Sequence, residues 1–138
     1  MTGTVFFAHP GEVYHLWCGQ CCEAKYKFFV VAYTEPRLRY FLINSAPAKF
    51  QRDNAELMSH QVLLSAADHS GFLKHDSVLD CSTILGGDTI DELAAKYQAN
   101  QNVYLGQIAP GPRGVLKTIV ADSRVLSEKE KQAIQAAW

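Results

Sequence analysis

The sequence lacks long apolar runs: none approaches the roughly 20 residues that a membrane-spanning helix requires. Its N-terminus also lacks a cationic segment followed by an apolar one and a small-residue cleavage site, so no secretory signal is apparent. Internal repeats and low-complexity segments are missing as well. Together these absences favour a cytoplasmic protein in which residues 1–138 form a single domain.

A charge excess of either sign is missing from the chain as a whole. The formal net charge is −1 and charged residues make up 20%, which argues against a non-specific nucleic-acid binder. The cations are nevertheless concentrated in about a fifth of the chain. Only one acid, Glu35, falls between residues 25 and 52, whereas the same stretch holds six cations: Lys25, Lys27, Arg37, Arg39, Lys49 and Arg52.

Cysteine is scarce, with four residues: Cys18, Cys21, Cys22 and Cys81. Without an export signal they are expected as free thiols or metal ligands rather than disulfides. His15, Cys18, Cys21 and Cys81 offer enough nitrogen and sulfur for a tetrahedral zinc site, but a single Cys-x2-Cys pair lacks the second pair that such sites usually have. We therefore expect small buried or loop thiols and no cofactor; zinc ligation and a catalytic or redox cysteine are the alternatives.

The clearest secondary-structure pattern is a pair of runs rich in β-branched and aromatic residues at 28–33 and 40–43, separated by a turn at 34–36. β-branched and aromatic residues bounded by turn formers predict two buried strands of a hairpin. Lys25 and Lys27 lie at the entrance of the first strand, and Ser45 lies at the exit of the second. Arg37 and Arg39 stand at the entrance of the second strand. The pattern places cations and a hydroxyl on the rim of an apolar sheet.

Further strands are predicted at 12–18, 61–64, 77–81 and 103–108. Asp88 is a good N-cap for a helix over 89–99, and the capping box at Ser127 predicts a last helix. Polar, proline-bearing segments at 46–54 and 109–114 are expected to be loops. Several strands without intervening helices predict a mainly β fold, a small antiparallel barrel with one or two short helices and a C-terminal helix.

The order of these motifs resembles that of the MazF/PemK toxins. The residues that carry the resemblance are Pro10-Gly11-Glu12-Val13, the 27–32 strand, Leu42-Ile43-Asn44-Ser45 and Asp76-Ser77-Val78-Leu79-Asp80. Those toxins are small SH3-like barrels, usually dimeric, that cleave RNA as part of toxin–antitoxin modules. The resemblance covers roughly 10–81, with similar residues at 104–106 and in the final helix.

The resemblance implies a metal-independent endoribonuclease acting on single-stranded RNA, with an antitoxin partner. Lys27 occupies the position of the family's catalytic arginine, and Ser45 matches its threonine or serine. The family's leading Arg-Gly-Asp is represented by Pro10-Gly11-Glu12, without the arginine. Lysine is not a neutral exchange for arginine, because an ammonium cannot grip a phosphate with a planar fork.

The chemistry can also be argued from the residues. Cleavage of RNA by its own 2′-OH needs proton transfer and stabilisation of the phosphate's added charge, which placed side chains can supply without a metal. Lys27 and Arg39 suit charge stabilisation, Ser45 suits hydrogen-bond donation, and His15 or His75 suits proton transfer. The remaining candidate RNA-binding cations are Lys25, Arg37, Lys49 and Arg52.

Alternatives remain open for each of these residues. Strand-end cations often only solubilise a sheet edge, and the barrel can equally be a non-catalytic module that binds protein or nucleic acid, or inhibits a topoisomerase. Trp17, Tyr26 and Tyr40 are candidates for stacking on bases or for the core.

Three smaller predictions concern contacts and assembly. Asp80, lying between apolar neighbours, is expected to pair with Arg39 or Arg37. The 74–77 segment contains the residue types of a Ser–His–Asp triad, but sequence adjacency is not triad geometry, so a strand-entry turn is expected. Apolar residues at 6–7 and 136–138 predict an isologous homodimer.

Overall fold

The computed structural model describes residues 6–19 and 25–138. These residues contain six strands: β1 (Glu12–Cys18), β2 (Lys25–Tyr33), β3 (Arg39–Asn44), β4 (Gln61–Leu64), β5 (Ser77–Leu85) and β6 (Tyr104–Gln107). The helices are α1 (Lys49–Arg52), α2 (Ala55–Met58), α3 (Ile90–Ala99), α4 (Pro110–Asp122) and α5 (Glu128–Ala137), with a 3-10 turn at Gln101–Val103.

The strands form one antiparallel sheet in the order β4-β5-β3-β2-β1-β6. The sheet curls into a half-barrel, which confirms the small, mainly β barrel with a C-terminal helix. The predicted hairpin is confirmed too, with Phe28 opposite Ile43 and Val30 opposite Phe41. Antiparallel pairing therefore brings the start of β2 beside the end of β3.

Both faces of the sheet are buried, because successive side chains of a strand point to opposite faces. On the first face, Val30 and Phe41 belong to a core that Leu116 of α4 and Ile134 of α5 complete. On the second face, Tyr14, Phe29 and Tyr40 belong to a core that includes Leu93 of α3. Burial on both sides explains why the sequence of β2 is nearly continuously apolar rather than alternating.

The segments expected to be loops contain helices instead. The supposed connector at 109–114 begins α4, since proline is tolerated at the first helical position and Leu116 and Val120 are fully buried. Residues 49–58 form the short helices α1 and α2. The N-cap of α3 is Thr89, not Asp88, while the capping box predicted at Ser127 is confirmed.

Gly11 marks the entrance of β1 and has a φ of 88°, which favours glycine. Its N–H donates to the Val31 carbonyl (2.9 Å), and its carbonyl accepts from the N–H of Ile108 (2.9 Å). The Arg113 guanidinium donates to the Pro10 carbonyl (2.9 Å). A Cβ on Gly11 would lie 1.8 Å from Nη1 of Arg113, so this guanidinium fills the space that a side chain would need.

Trp138 packs against the first core rather than extending an exposed apolar surface. Its indole N–H donates to the Ala32 carbonyl (2.6 Å), and the Arg113 guanidinium lies 4.4 Å from its ring centroid. Phe7 belongs to 6–7, the other apolar segment from which the homodimer was predicted, and it is 68% exposed. In the described part of the chain, no helix has the length and apolar character needed to cross a bilayer.

Candidate functional site

A groove of about 460 Å³ lies where the start of β2, the end of β3 and the segment leading into β5 meet. Strand pairing assembles it, because Ile43 faces Phe28 on one side and Leu79 on the other. The side chains that line it are His15, Lys25, Tyr26, Lys27, Phe28, Ile43, Asn44, Ser45, Ala46, Phe72, Leu73, Lys74, His75 and Ser77.

The groove is cationic in a protein of nearly balanced charge. Three lysines and two histidines line it, and among the described residues no aspartate or glutamate does. Lys27 and Ser45, the predicted catalytic pair, both belong to it, and the exposed Ser45 hydroxyl has no hydrogen-bond partner in the described part of the chain. A concave surface with excess positive charge attracts phosphate.

His75 is exposed at the groove and held by its own neighbours. Its Nδ1 lies 3.0 Å from the Asp76 carbonyl, which only accepts, so Nδ1 carries the proton and Nε2 is the acceptor. The Ser77 hydroxyl donates to the His75 carbonyl (3.1 Å), and the Asp76 carboxylate accepts from the N–H of Ala66 (2.8 Å). The strand-entry turn is thus confirmed, and these three residues form no triad.

Aromatic rings surround His15 on the exposed end of the first face. The centroid of the His15 ring lies 5.4 Å from that of Tyr26 and 5.3 Å from that of Phe28. Trp17 packs edge-on against Tyr26 at 5.3 Å. Trp17 and Tyr26 are 53% and 61% exposed, whereas Tyr40 is buried and donates its hydroxyl to Asp88 (3.1 Å). Of the three candidate stacking residues, Tyr40 therefore belongs to the core.

The side chain of Lys27 points to the second face of the sheet. Lys27 pairs with Leu16, which is buried on that face, whereas its neighbour Phe28 packs against the first core. Its ammonium donates to the Asn44 side-chain carbonyl. Partial burial lowers the pKa of Lys27, and the charge of Lys25 lowers it further, while the carboxylate of Asp80 opposes both. Lys27 is thus a cation whose charge costs more than usual to maintain.

Asp80 is buried, and its partners are not the predicted arginines. Gln51 of α1 donates to it at 2.8 Å and Gln61 at 3.0 Å. Ser82 donates to it through its backbone N–H (2.9 Å) and its hydroxyl (2.5 Å). The prediction of a pair with Arg37 or Arg39 was wrong, because α1, expected to be loop, supplies a donor over the sheet.

Four of the five predicted RNA-binding cations lie outside the groove. Arg37 and Arg39 are at the other end of the hairpin, roughly 20 Å from Lys27 at ~3.3 Å per strand residue. Arg39 donates to the Leu38 carbonyl (2.9 Å). Lys49 and Arg52 are exposed on α1, where Arg52 donates to the Pro47 carbonyl (2.7 Å). Of these candidates only Lys25 joins Lys27 and Ser45.

The cysteines differ from the expected free thiols at one position. Cys18 is disulfide-bonded, which corrects the prediction for that residue. Cys81 is a free, buried thiol whose pKa is raised by burial and by the neighbouring Asp80 charge. Cys21 and Cys22 lie outside the described residues. Within 6–19 and 25–138, no three His, Cys, Asp or Glu side chains gather as a metal would require.

Lys74 and Phe72 belong to the groove but were not among the predicted site residues. Phe72 contacts Phe28 with ring centroids 5.9 Å apart, and this contact between distant segments fixes the loop against the sheet. A cation next to the candidate His75 was the only sequence signal for Lys74.

No model of a known protein family matches the chain, and no curated protein matches it significantly. The resemblance to the MazF/PemK toxins therefore remains a hypothesis resting on the short motifs quoted above.

Proposed function

We propose that the protein is a metal-independent endoribonuclease of the toxin type, which binds and cleaves single-stranded RNA in the cationic groove. The observation that carries this proposal is the convergence of Lys25, Lys27, Lys74, His15 and His75 from separate segments on one groove without a lining acid in the described residues. Such a surface suits a polyanion whose phosphates must also exchange protons with nearby side chains.

Single-stranded RNA is favoured over duplex by the exposed aromatic residues beside the lysines. Trp17 and Tyr26 present ring surface to solvent next to Lys25. Base stacking on aromatic side chains combined with cations along the backbone is the usual way to bind single strands. A base paired inside a duplex would not be free to stack in this way.

The proposed reaction is transesterification by the RNA's own 2′-OH. One histidine, His75 through its accepting Nε2, removes the 2′-OH proton while the 2′-oxygen attacks phosphorus. The bond between phosphorus and the 5′-oxygen breaks, and His15 protonates the leaving 5′-oxygen. Lys74 and Lys27 stabilise the added charge, and Ser45 donates a hydrogen bond to a non-bridging oxygen. The products are a 2′,3′-cyclic phosphate and a 5′-hydroxyl.

The test is cleavage of a mixed set of single-stranded RNAs by purified protein, with and without EDTA. We expect cleavage that chelation leaves unchanged and products that end in 2′,3′-cyclic phosphate. Lys27→Ala should reduce cleavage by about 100-fold, the scale of removing one transition-state donor. Ser45→Ala should reduce it less. If the protein binds RNA but cleaves none, the proposed catalysis is wrong and only the proposed RNA binding remains.

A non-catalytic RNA-binding module is the second candidate, and one observation favours it. The Lys27 ammonium is engaged by Asn44 and attracted by Asp80 on the second face. In that case Lys27 stabilises the end of the hairpin. The protein then binds RNA with an affinity that falls as salt rises, and it cleaves none. Lys27→Ala would then lower stability without changing a reaction rate.

Partners and location form a further part of the proposal. We place the protein in the cytoplasm as a homodimer that an antitoxin controls. The disulfide at Cys18 is the observation that opposes this location. Three exposed apolar side chains near the β4 edge support assembly: Phe50, Met58 and Leu63 are 66%, 37% and 65% exposed. Light scattering at micromolar concentration should give twice the 15.3 kDa chain mass. A single 15.3 kDa species would contradict the dimer.

A further inference from the structure

A second cavity, of about 600 Å³, lies between the start of β1, the residues before it, β6 and the end of α3. Its aromatic walls include Phe6, Tyr14, Tyr97 and Tyr104. Tyr14 precedes His15 on β1, so the two side chains leave the sheet on opposite faces. The two cavities also share no lining residue, so this one is separate from the RNA groove, and what it binds does not depend on the function proposed above.

The rings of this cavity are inclined to one another. Phe6 and Tyr97 have centroids 5.6 Å apart and planes at 43°, and Tyr14 and Tyr104 have centroids 5.5 Å apart and planes at 61°. A flat nucleobase is best held between parallel faces, which neither pair provides. Inclined rings instead form walls around a compact, rounded group.

Glu12 supplies the charge of the cavity. Its side chain is buried, with the residue only 8% exposed. Its Oε1 accepts from the backbone N–H of His9 (2.6 Å) and from the Tyr14 hydroxyl (3.2 Å). Among the described residues its Oε2 has no hydrogen-bond partner, and no lysine or arginine lines the cavity.

Oε2 of Glu12 is not a buried atom without a partner, so it is open to the cavity, where a cation would meet a carboxylate that no lining lysine or arginine neutralises. The faces of aromatic rings carry partial negative charge, so they attract cations as well. Burial and the Glu12 carboxylate both raise the pKa of Tyr14, which keeps its phenol neutral beside the carboxylate. All of these features favour a positively charged guest over a neutral or anionic one.

We propose that this cavity binds an organic cation of the alkylammonium class, with Glu12 as counter-charge and Phe6, Tyr14, Tyr97 and Tyr104 as walls. The volume leaves room for a trimethylammonium group that carries a further substituent. The exposed amides of Gln98 and Gln101 at the rim can contact a polar substituent.

Calorimetric titration with choline tests the proposal, with 3,3-dimethylbutan-1-ol as its neutral isostere. The two molecules share shape and hydroxyl group and differ in charge. We expect choline to bind with a Kd in the millimolar range or below, and the isostere to bind about tenfold more weakly. Butylamine distinguishes the headgroup: tighter binding than choline assigns the site to primary ammonium groups within the same class.

Two variants and one control locate the binding site. Glu12→Gln keeps an oxygen that accepts from His9 and Tyr14, and it should weaken choline binding about tenfold. Tyr104→Leu removes one wall and should weaken it as well. Tyr26→Leu, an exposed tyrosine at the RNA groove, should leave it unchanged. Three results would each overturn the proposal: equal affinity for choline and its isostere, no binding of any ammonium at 10 mM (about ten times a 1 mM Kd), or loss of binding only in Tyr26→Leu.

Discussion

Two pairs of histidines in this protein have opposite environments. His60 and His69 are buried, and each uses both ring nitrogens. Nδ1 of His60 donates to the Glu56 carbonyl (2.7 Å), so its Nε2 accepts from the Ser123 hydroxyl (2.6 Å). Nδ1 of His69 donates to the Ser65 carbonyl (2.8 Å), and its Nε2 accepts from the N–H of Ala109 (3.0 Å).

His15 and His75 instead lie exposed in the cationic groove. His75 uses Nδ1 alone, and His15 has ring contacts but no hydrogen bond to a described residue. A histidine with both nitrogens occupied joins distant segments and cannot exchange protons without breaking a bond. A histidine with a free nitrogen contributes little to stability and remains available for chemistry. Residue type alone does not separate the two roles; the state of the second nitrogen does.

The largest expected effect is on catalysis. His15→Ala and His75→Ala should each reduce RNA cleavage by about 100- to 10,000-fold, the usual range for a general acid or base. RNA binding should change much less, because the lysines remain. His9→Ala, an exposed histidine outside the groove, is the matched control for the cleavage assay. Equal rates for all three variants would leave the groove histidines without a role in proton transfer.

The same comparison predicts a difference in stability. His69→Ala leaves the Ser65 carbonyl and the Ala109 N–H without their partner, and it should lower the free energy of unfolding by about 2–4 kcal/mol. His75→Ala should change it by less than about 0.5 kcal/mol. Urea denaturation of both variants measures the difference. Similar midpoints would mean that the two environments are not energetically distinct.

Stacking gives a smaller effect, confined to binding. Trp17→Ala and Tyr26→Ala should each weaken single-stranded RNA binding by about 1–3 kcal/mol, the usual contribution of one stacked base. Phe50→Ala removes an equally exposed ring outside the groove and serves as control. Fluorescence anisotropy with labelled RNA measures the three affinities. A larger loss of affinity in Phe50→Ala would indicate that RNA binds at the face formed by α1 instead of the groove.

The smallest effect concerns pH and Lys27. Burial lowers the pKa of Lys27 in the folded state, so over alkaline pH the unfolded chain binds its proton more readily than the folded protein does. The contribution of Lys27 to stability should therefore rise with pH between the lowered folded pKa and the ordinary pKa of lysine. Comparing unfolding free energies of the wild type and Lys27→Met across this interval isolates the effect. A slope of opposite sign would mean that the Asp80 charge outweighs burial.

The sequence predicted the parts of the fold that depend on neighbouring residues. β1 and the β2–β3 hairpin follow from runs of β-branched and aromatic residues, and α5 follows from its capping box. α4 was missed because its first residues, 110–114, have the composition of a loop. Packing of Leu116 and Val120 stabilises the helix, and such tertiary contacts override local propensity.

The candidate site also has one part that the sequence predicted and another part that it did not. Lys27 and Ser45 lie near each other because antiparallel pairing within a hairpin is a local consequence of the sequence. The contribution of Phe72, Lys74 and His75 depends on a loop that lies 27–30 residues after Ser45 in the sequence. No local pattern reveals that this loop packs against the hairpin. Charge counts alone could not separate Arg37 and Arg39 from the groove lysines, because the two ends of one hairpin are far apart in space.

The contact between Gly11 and Arg113 also has a consequence for tracing descent. Since the guanidinium occupies the volume of a Cβ at residue 11, any side chain there must displace it from the Pro10 carbonyl. Homologues with an alanine or larger residue at position 11 should therefore more often have another residue at position 113. This paired constraint offers a signature by which distant relatives can be recognised when overall sequence similarity has disappeared.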